Sequence, residues 1–113
     1  SSTKDMKPST RQRFAALEFD FPAAAVESEI VAHEARIGSE LAAKLVGIAQ
    51  RSRALKTRGL DEGVSTRMLI YAGILIRDGV DPRHSCDMTM TRALTDDPDM
   101  AKALRGFVEA YFG

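Results

Sequence analysis

Apolar positions recur at helical spacing along most of this chain. Between Pro22 and Ile37, the residues Val26, Ile30, His33 and Ile37 share one stripe and predict a helix stopped by Gly38. Glu27, Glu29 and Glu34 fall on its other, solvated faces, and His33 reads as a packing residue. Ser39 predicts the cap of a second helix running to about Arg58 before Gly59, with Leu41, Leu45, Ile48, Ser52 and Leu55 inward. Arg51, Arg53, Lys56 and Arg58 occupy its final turns, where cations suit the negative end of the helix dipole, and read as a solvated helix end.

A third helix is predicted to open at Ser65, a good N-cap, and to end near Gly79. Its stretch Met68 to Ile76 is almost unbroken in apolar character, which predicts deep burial. Residues 69–76 also fit a buried strand, but the cap and the total length favour helix. Gly73 costs a helix about 1 kcal/mol against Ala, so it marks a close helix–helix contact. Asp81-Pro82 and Asp97-Pro98 each place an N-cap before a proline at the first helical position. They predict a short helix to about Leu94, with Cys86, Met90 and Leu94 inward, and a last helix burying Met100, Leu104, Phe107, Val108 and Tyr111.

One stretch alternates instead. Leu17, Phe19 and Phe21 face one way and Glu18 and Asp20 the other, which predicts a strand within Phe14–Phe21. A lone strand cannot satisfy its own ladder and needs partners from elsewhere. The expected fold is therefore mainly α, a compact bundle of about five helices preceded by one short β-strand. The expected division is 1–21 and 22–113.

The composition, 44% hydrophobic and 28% charged, is that of a globular protein with one modest core. Sixteen basic and sixteen acidic side chains cancel, leaving no global field to collect nucleic acid or an anionic membrane. The single cysteine, Cys86, excludes an intramolecular disulfide framework. The polar, basic opening lacks a signal-peptide pattern, and the longest apolar run is too short to span a bilayer. These features lead to an expectation of a cytoplasmic protein with no membrane or nucleic-acid partner.

Catalytic patterns are absent from the sequence. There is no phosphate loop, no Gly-x-Gly-x-x-Gly after a strand, no His-Glu-x-x-His and no Gly-x-Ser-x-Gly. His84-Ser85-Cys86-Asp87 offers too few donors for a metal centre and reads as a Pro-led helix start, so no metal is expected. What remains are arginines in particular places: Arg11 and Arg13 before the strand, and Arg67 in the first turn of the third helix. A cation there opposes the helix dipole and invites an anionic partner. Arginine is also well shaped for phosphate, being planar, always charged and bidentate.

These residues carry a resemblance. Lys7-Pro8-Ser9-Thr10-Arg11-Gln12-Arg13-Phe14, followed by a strand and Phe21-Pro22, resembles the end of the nucleotide-binding core of MoxR-type AAA+ ATPases. It is closest to the CbbQ/NirQ/NorQ branch. Gly63-Val64-Ser65-Thr66-Arg67 resembles the branch's sensor-2 motif at the start of a lid helix. The tail, with Asp81-Pro82, Asp96-Asp97-Pro98 and Tyr111-Phe112-Gly113, is similar to the branch's C-terminus. The resemblance covers essentially the whole chain. It implies the tail end of the AAA+ core over 1–21 and a helical lid over 22–113, with the phosphate loop and Walker-B acid lying upstream. This region alone would then be inactive. Arg67 would contact the ATP phosphate. Arg13, or Arg11 two residues before it, would act as the arginine finger in a neighbouring subunit. The implied cofactors of the complete protein are ATP and Mg²⁺. The implied partners are further copies in a ring, a client enzyme such as Rubisco or nitric oxide reductase, and an adaptor protein.

Two other readings of the same residues stay open at this point. Gly63–Arg67 also resembles the turn and recognition-helix start of a helix-turn-helix DNA-binding module, although the apolar run behind it leaves little polar face for a groove. A plain helical interaction domain is the other.

Overall fold

A computed structural model describes residues 21–113 except Gly59 and Asp61. The expected strand up to Asp20 and both finger candidates, Arg11 and Arg13, lie outside the described residues, as does the Gly59 stop. The rest is helical: α1 (Ala24–Ala35), α2 (Ser39–Arg53) continued by a 3₁₀ segment (Ala54–Arg58), α3 (Thr66–Arg77), α4 (82–94) and α5 (Pro98–Phe112). Among the described residues there is no strand, and none of their helices is long and apolar enough to cross a membrane.

The capping signals act mostly where the sequence places them. The Ser65 side chain accepts a hydrogen bond from the Met68 N–H at 3.2 Å. Asp81 accepts from the His84 N–H at 3.1 Å, and Asp97 from the Asp99 N–H at 3.3 Å. Each satisfies a donor that the first helical turn leaves unpaired. Two expectations are corrected. Gly38 is extended (φ −71°) and is itself the N-cap of α2, so Ser39 lies inside the helix. The chain reverses instead at Arg36, which takes the left-handed conformation (φ 58°) and ends α1.

The core gathers Leu45, Val46, Ile48 and Ala49 of α2, Leu69 and Ala72 of α3, Cys86 and Met90 of α4, and Val108 of α5. The α2 stripe matches its expectation, with Ser52 also fully buried and its hydroxyl donating to the Ala49 carbonyl at 2.8 Å. The α1 stripe does not. Val26 and Ile30 are 49% and 38% exposed and His33 is exposed, while Glu27, Val31 and Ala35 point inward. The helix is rotated from its apparent apolar stripe because Glu27 has partners inside the bundle. Helix α3 is also less buried than its composition suggests. Leu69, Ala72 and Gly73 are buried, but Tyr71 is 53% exposed.

Helices α1 and α3 run side by side in the same direction. Thr66 sits by Glu27 at one end, and Gly73 by Ala35 towards the other. The Arg77 guanidinium closes that far end by donating to the Ala35 carbonyl at 3.1 Å. Helix α2 returns antiparallel to α1, bringing Arg53 back to Glu27. The C-terminal turn of α5 packs on α2, with Arg51 and Lys44 each 5.6 Å from the ring centroids of Tyr111 and Phe112 respectively. A π turn (Asp87–Thr91) interrupts α4, an irregularity that apolar spacing does not signal.

The close contact expected at Gly73 is present. A Cβ built there would lie 2.9 Å from the Ala35 Cβ and 3.0 Å from Ile37 Cδ1. The Ala35 atom sits against backbone and cannot swing away. Gly73→Ala should therefore push α1 and α3 apart. Overpacking of about 1–3 kcal/mol exceeds the roughly 1 kcal/mol gained in helix propensity. Chemical denaturation should record a net loss of stability, and a gain would show that the two helices separate freely.

Candidate functional site

Three element ends meet at one pole of the bundle: the start of α1, the end of α2 and the start of α3. Glu27 holds them. Its side chain is fully buried and receives both arms of the Arg53 guanidinium, Nη1 to Oε1 at 2.9 Å and Nη2 to Oε2 at 2.7 Å. The Thr66 hydroxyl donates to Glu27 Oε2 at 2.8 Å. Arg53 Nε–H donates to the Val64 carbonyl at 3.0 Å, and its guanidinium carbon lies 3.5 Å from the centroid of the Phe21 ring. A forked, bidentate pair with extra hydrogen bonds on both partners is the arrangement that makes a buried ion pair tolerable. This corrects the expectation that Glu27 lies on a solvated face and Arg53 at a solvated helix end.

Immediately beside this buried pair stands Arg67. It is exposed, and among the described residues it has no hydrogen bond, ion pair or ring contact. Its neighbour Thr66 is fixed to Glu27, and Ser65 caps the helix, so the backbone that carries Arg67 is held on both flanks. Tyr71, one turn further, is also largely exposed. The pole thus presents, among the described residues, an unpaired guanidinium at the positive end of a twelve-residue helix, a combination that favours an anion with several oxygens.

A second polar cluster lies between α4 and α5, and Arg67 is not among the residues that line it. Arg83, His84, Asp87, Thr91, Arg105 and Glu109 line a cleft there of about 250 Å³. Asp87 accepts from Arg105 Nε at 2.6 Å and from Arg92 Nε at 2.9 Å. The Arg105 hydrogen bond, helped by Arg92, holds its carboxyl below the ordinary value of 3.8. The neighbouring Cys86 thiol is pushed up to about 12, first by burial and then by Asp81 and Asp87. It is therefore a protonated, unreactive packing group. No group of three or more metal-ligating side chains occurs among the described residues.

The sequence placed Arg67 at the start of α3 but missed Glu27, Arg53 and Thr66 as a unit. One signal was available. Glu27, Val31 and Ala35 fall at i, i+4 and i+8, so a second face of α1 was as regular as the one formed by Val26 and Ile30.

An all-helical bundle with a capped, arginine-bearing helix start at one pole is the class defined by these observations. Residues 27–111 match the family described as CbbQ/NirQ/NorQ C-terminal, and the chain belongs to that family. It is 54% identical over 112 residues to Protein CbbQ of Hydrogenophilus thermoluteolus, covering 99% of this chain and 42% of that protein. It is 46% identical over 110 residues to the denitrification regulatory protein NirQ of Stutzerimonas stutzeri, covering 97% and 40%. It is also 46% identical over 110 residues to Protein NorQ of Paracoccus denitrificans, covering 97% and 41%. The chain thus spans about two fifths of the length of these relatives.

Two outcomes are expected from this geometry. Glu27→Ala leaves the Arg53 cation without its partner in a nearly closed site, and should lower unfolding free energy by about 3–5 kcal/mol. A loss below about 1 kcal/mol in urea titration would mean that the pair is solvated in solution. At Asp87 the folded-state value is depressed, so the unfolded chain takes up the proton first as pH falls. Its contribution is complete above the ordinary carboxylate value and is lost as pH drops below it. Asp87→Asn should flatten that part of the acid unfolding curve, and an unchanged curve would remove Asp87 from the acid response.

Proposed function

We propose that this chain is the C-terminal lid and arginine-finger part of an AAA+ ATPase that activates or remodels a client enzyme. Family membership and the Gly63–Arg67 motif support this reading, and one observation carries it. Arg67 stands exposed and without a partner among the described residues at the start of α3, on a backbone held by Ser65 and Thr66. An arginine so placed suits the terminal phosphate of ATP bound between this lid and a nucleotide-binding core.

In this reading Arg67 senses the nucleotide within its own subunit. Contact with the phosphate draws the lid inward, and loss of that contact after hydrolysis releases it. ATP and Mg²⁺ are the cofactors of the complete protein. Arg13, with Arg11 as the alternative, enters the neighbouring subunit's site and stabilises charge on the transferring phosphoryl group, which makes a ring of copies the working form. The client in this reading is an enzyme such as Rubisco or nitric oxide reductase, reached with an adaptor protein, in the cytoplasm. No observation favours the DNA-binding alternative: the outward face of α3 behind Arg67 carries Tyr71 rather than a row of polar side chains.

The test is steady-state ATP hydrolysis by the full-length protein. Arg67→Ala should lower turnover by at least about 100-fold, the scale for removing one transition-state donor, with an unchanged circular dichroism spectrum. Wild-type turnover in this variant would return Arg67 to the surface and end the sensor reading.

A further inference from the structure

The buried Glu27–Arg53 pair touches both the helix start that carries Arg67 and the segment that enters the bundle. On the first side there are two hydrogen bonds, Thr66 Oγ1–H to Glu27 and Arg53 Nε–H to the Val64 carbonyl. They hold the residues on either side of the Ser65 cap. On the second side the Arg53 guanidinium lies flat enough on Phe21 to bring its carbon within 3.5 Å of the ring centroid. Phe21 is the residue just before Pro22 and α1. One guanidinium and one carboxylate thus tie the entry segment to the turn before α3, far along the sequence from Phe21.

We propose that Glu27, Arg53 and Thr66 form a positioning unit that fixes the start of α3 relative to the Phe21–Pro22 junction, so that movement at the junction is transmitted to Arg67. The inference rests on the reading of Arg67 as the nucleotide-sensing arginine. Its physical basis is rigidity. Arg53 is a planar fork with one donor from each of its three nitrogens committed to Glu27 or Val64, and Glu27 accepts three hydrogen bonds, so neither side chain can turn without breaking charge-assisted bonds in a nearly closed site. Thr66 is the one member whose hydroxyl can be removed while the ion pair remains. Without it, α3 keeps its cap and its packing, but the helix start loses its direct link to Glu27.

The experiment uses the full-length protein and two nucleotides, ADP and a non-hydrolysable ATP analogue. The ratio of their affinities isolates what the terminal phosphate contributes. Thr66→Val should reduce the preference for the analogue by about tenfold, the size of one charge-assisted hydrogen bond, while leaving ADP affinity unchanged. Thr66→Ser should restore it. In the Arg67→Ala background, Thr66→Val should have no further effect, because the group it positions is gone. A Thr66→Val protein with the wild-type preference, or with a loss that adds in full to that of Arg67→Ala, overturns the positioning role. So does failure of Thr66→Ser to rescue. If Arg67→Ala itself leaves the preference intact, the sensor reading fails first, and that result is distinct from any outcome at Thr66.

Discussion

The described bundle depends on a carboxylate that has no water. Glu27 is fully buried at the pole where α1, α2 and α3 meet, and a bare charge there would cost several kcal/mol. Arg53 and Thr66 remove that cost only if all three helix ends are in register, because each donor comes from a different element. The pair therefore specifies an arrangement as well as contributing to its stability. The rotation of α1, the antiparallel return of α2 and the parallel placement of α3 together bring both partners to this one side chain. Gly73 and Arg77 then close the other end of the α1–α3 contact, by close approach and by a capped carbonyl.

Most of the fold was legible in the sequence because its boundaries are set by local chemistry. Ser65, Asp81 and Asp97 act on donors two or three residues away, and the sequence shows both partners. The α2 stripe was equally legible, since its buried residues are apolar apart from a serine that bonds its own helix. What sequence could not show was the orientation of α1. Its apolar residues occupy two faces, and the choice between them is made by Arg53, 26 positions away. Hydrophobic spacing ranks Glu27 as a solvated residue because the spacing carries no record of a distant guanidinium. The π turn in α4 was hidden for a related reason. Cys86 and Met90 keep their helical spacing while the added residue brings Thr91 inward as well.

The candidate site divides in the same way. Arg67 was legible because it contradicts a local rule: a cation in the first turn of a helix is disfavoured by the dipole, and nothing in the described chain offsets it. Glu27, Arg53 and Thr66 were not, because each obeys a bland local expectation. A glutamate near a helix start, an arginine in a last turn and a threonine after a cap are all ordinary. Their role exists only in three dimensions.

Two arginines on neighbouring elements therefore have opposite fates, and the contrast bears on function. Arg53 is consumed by the structure, with its fork paired and its plane covered by Phe21. Arg67 follows the Thr66 link to that same pair and has no partner for its donors among the described residues. A guanidinium on such a held backbone still gives up its own rotamer freedom when an anion arrives, but the backbone beneath it is already ordered. An arginine on a mobile backbone would lose that backbone freedom as well. Rigidity below and freedom at the tip are what a phosphate-sensing side chain requires. If Arg67 takes up the proposed anion contact, linkage requires the coupling to be reciprocal: the same bonds from Thr66 through Glu27 to Arg53 connect it to Phe21 at the chain entering the bundle.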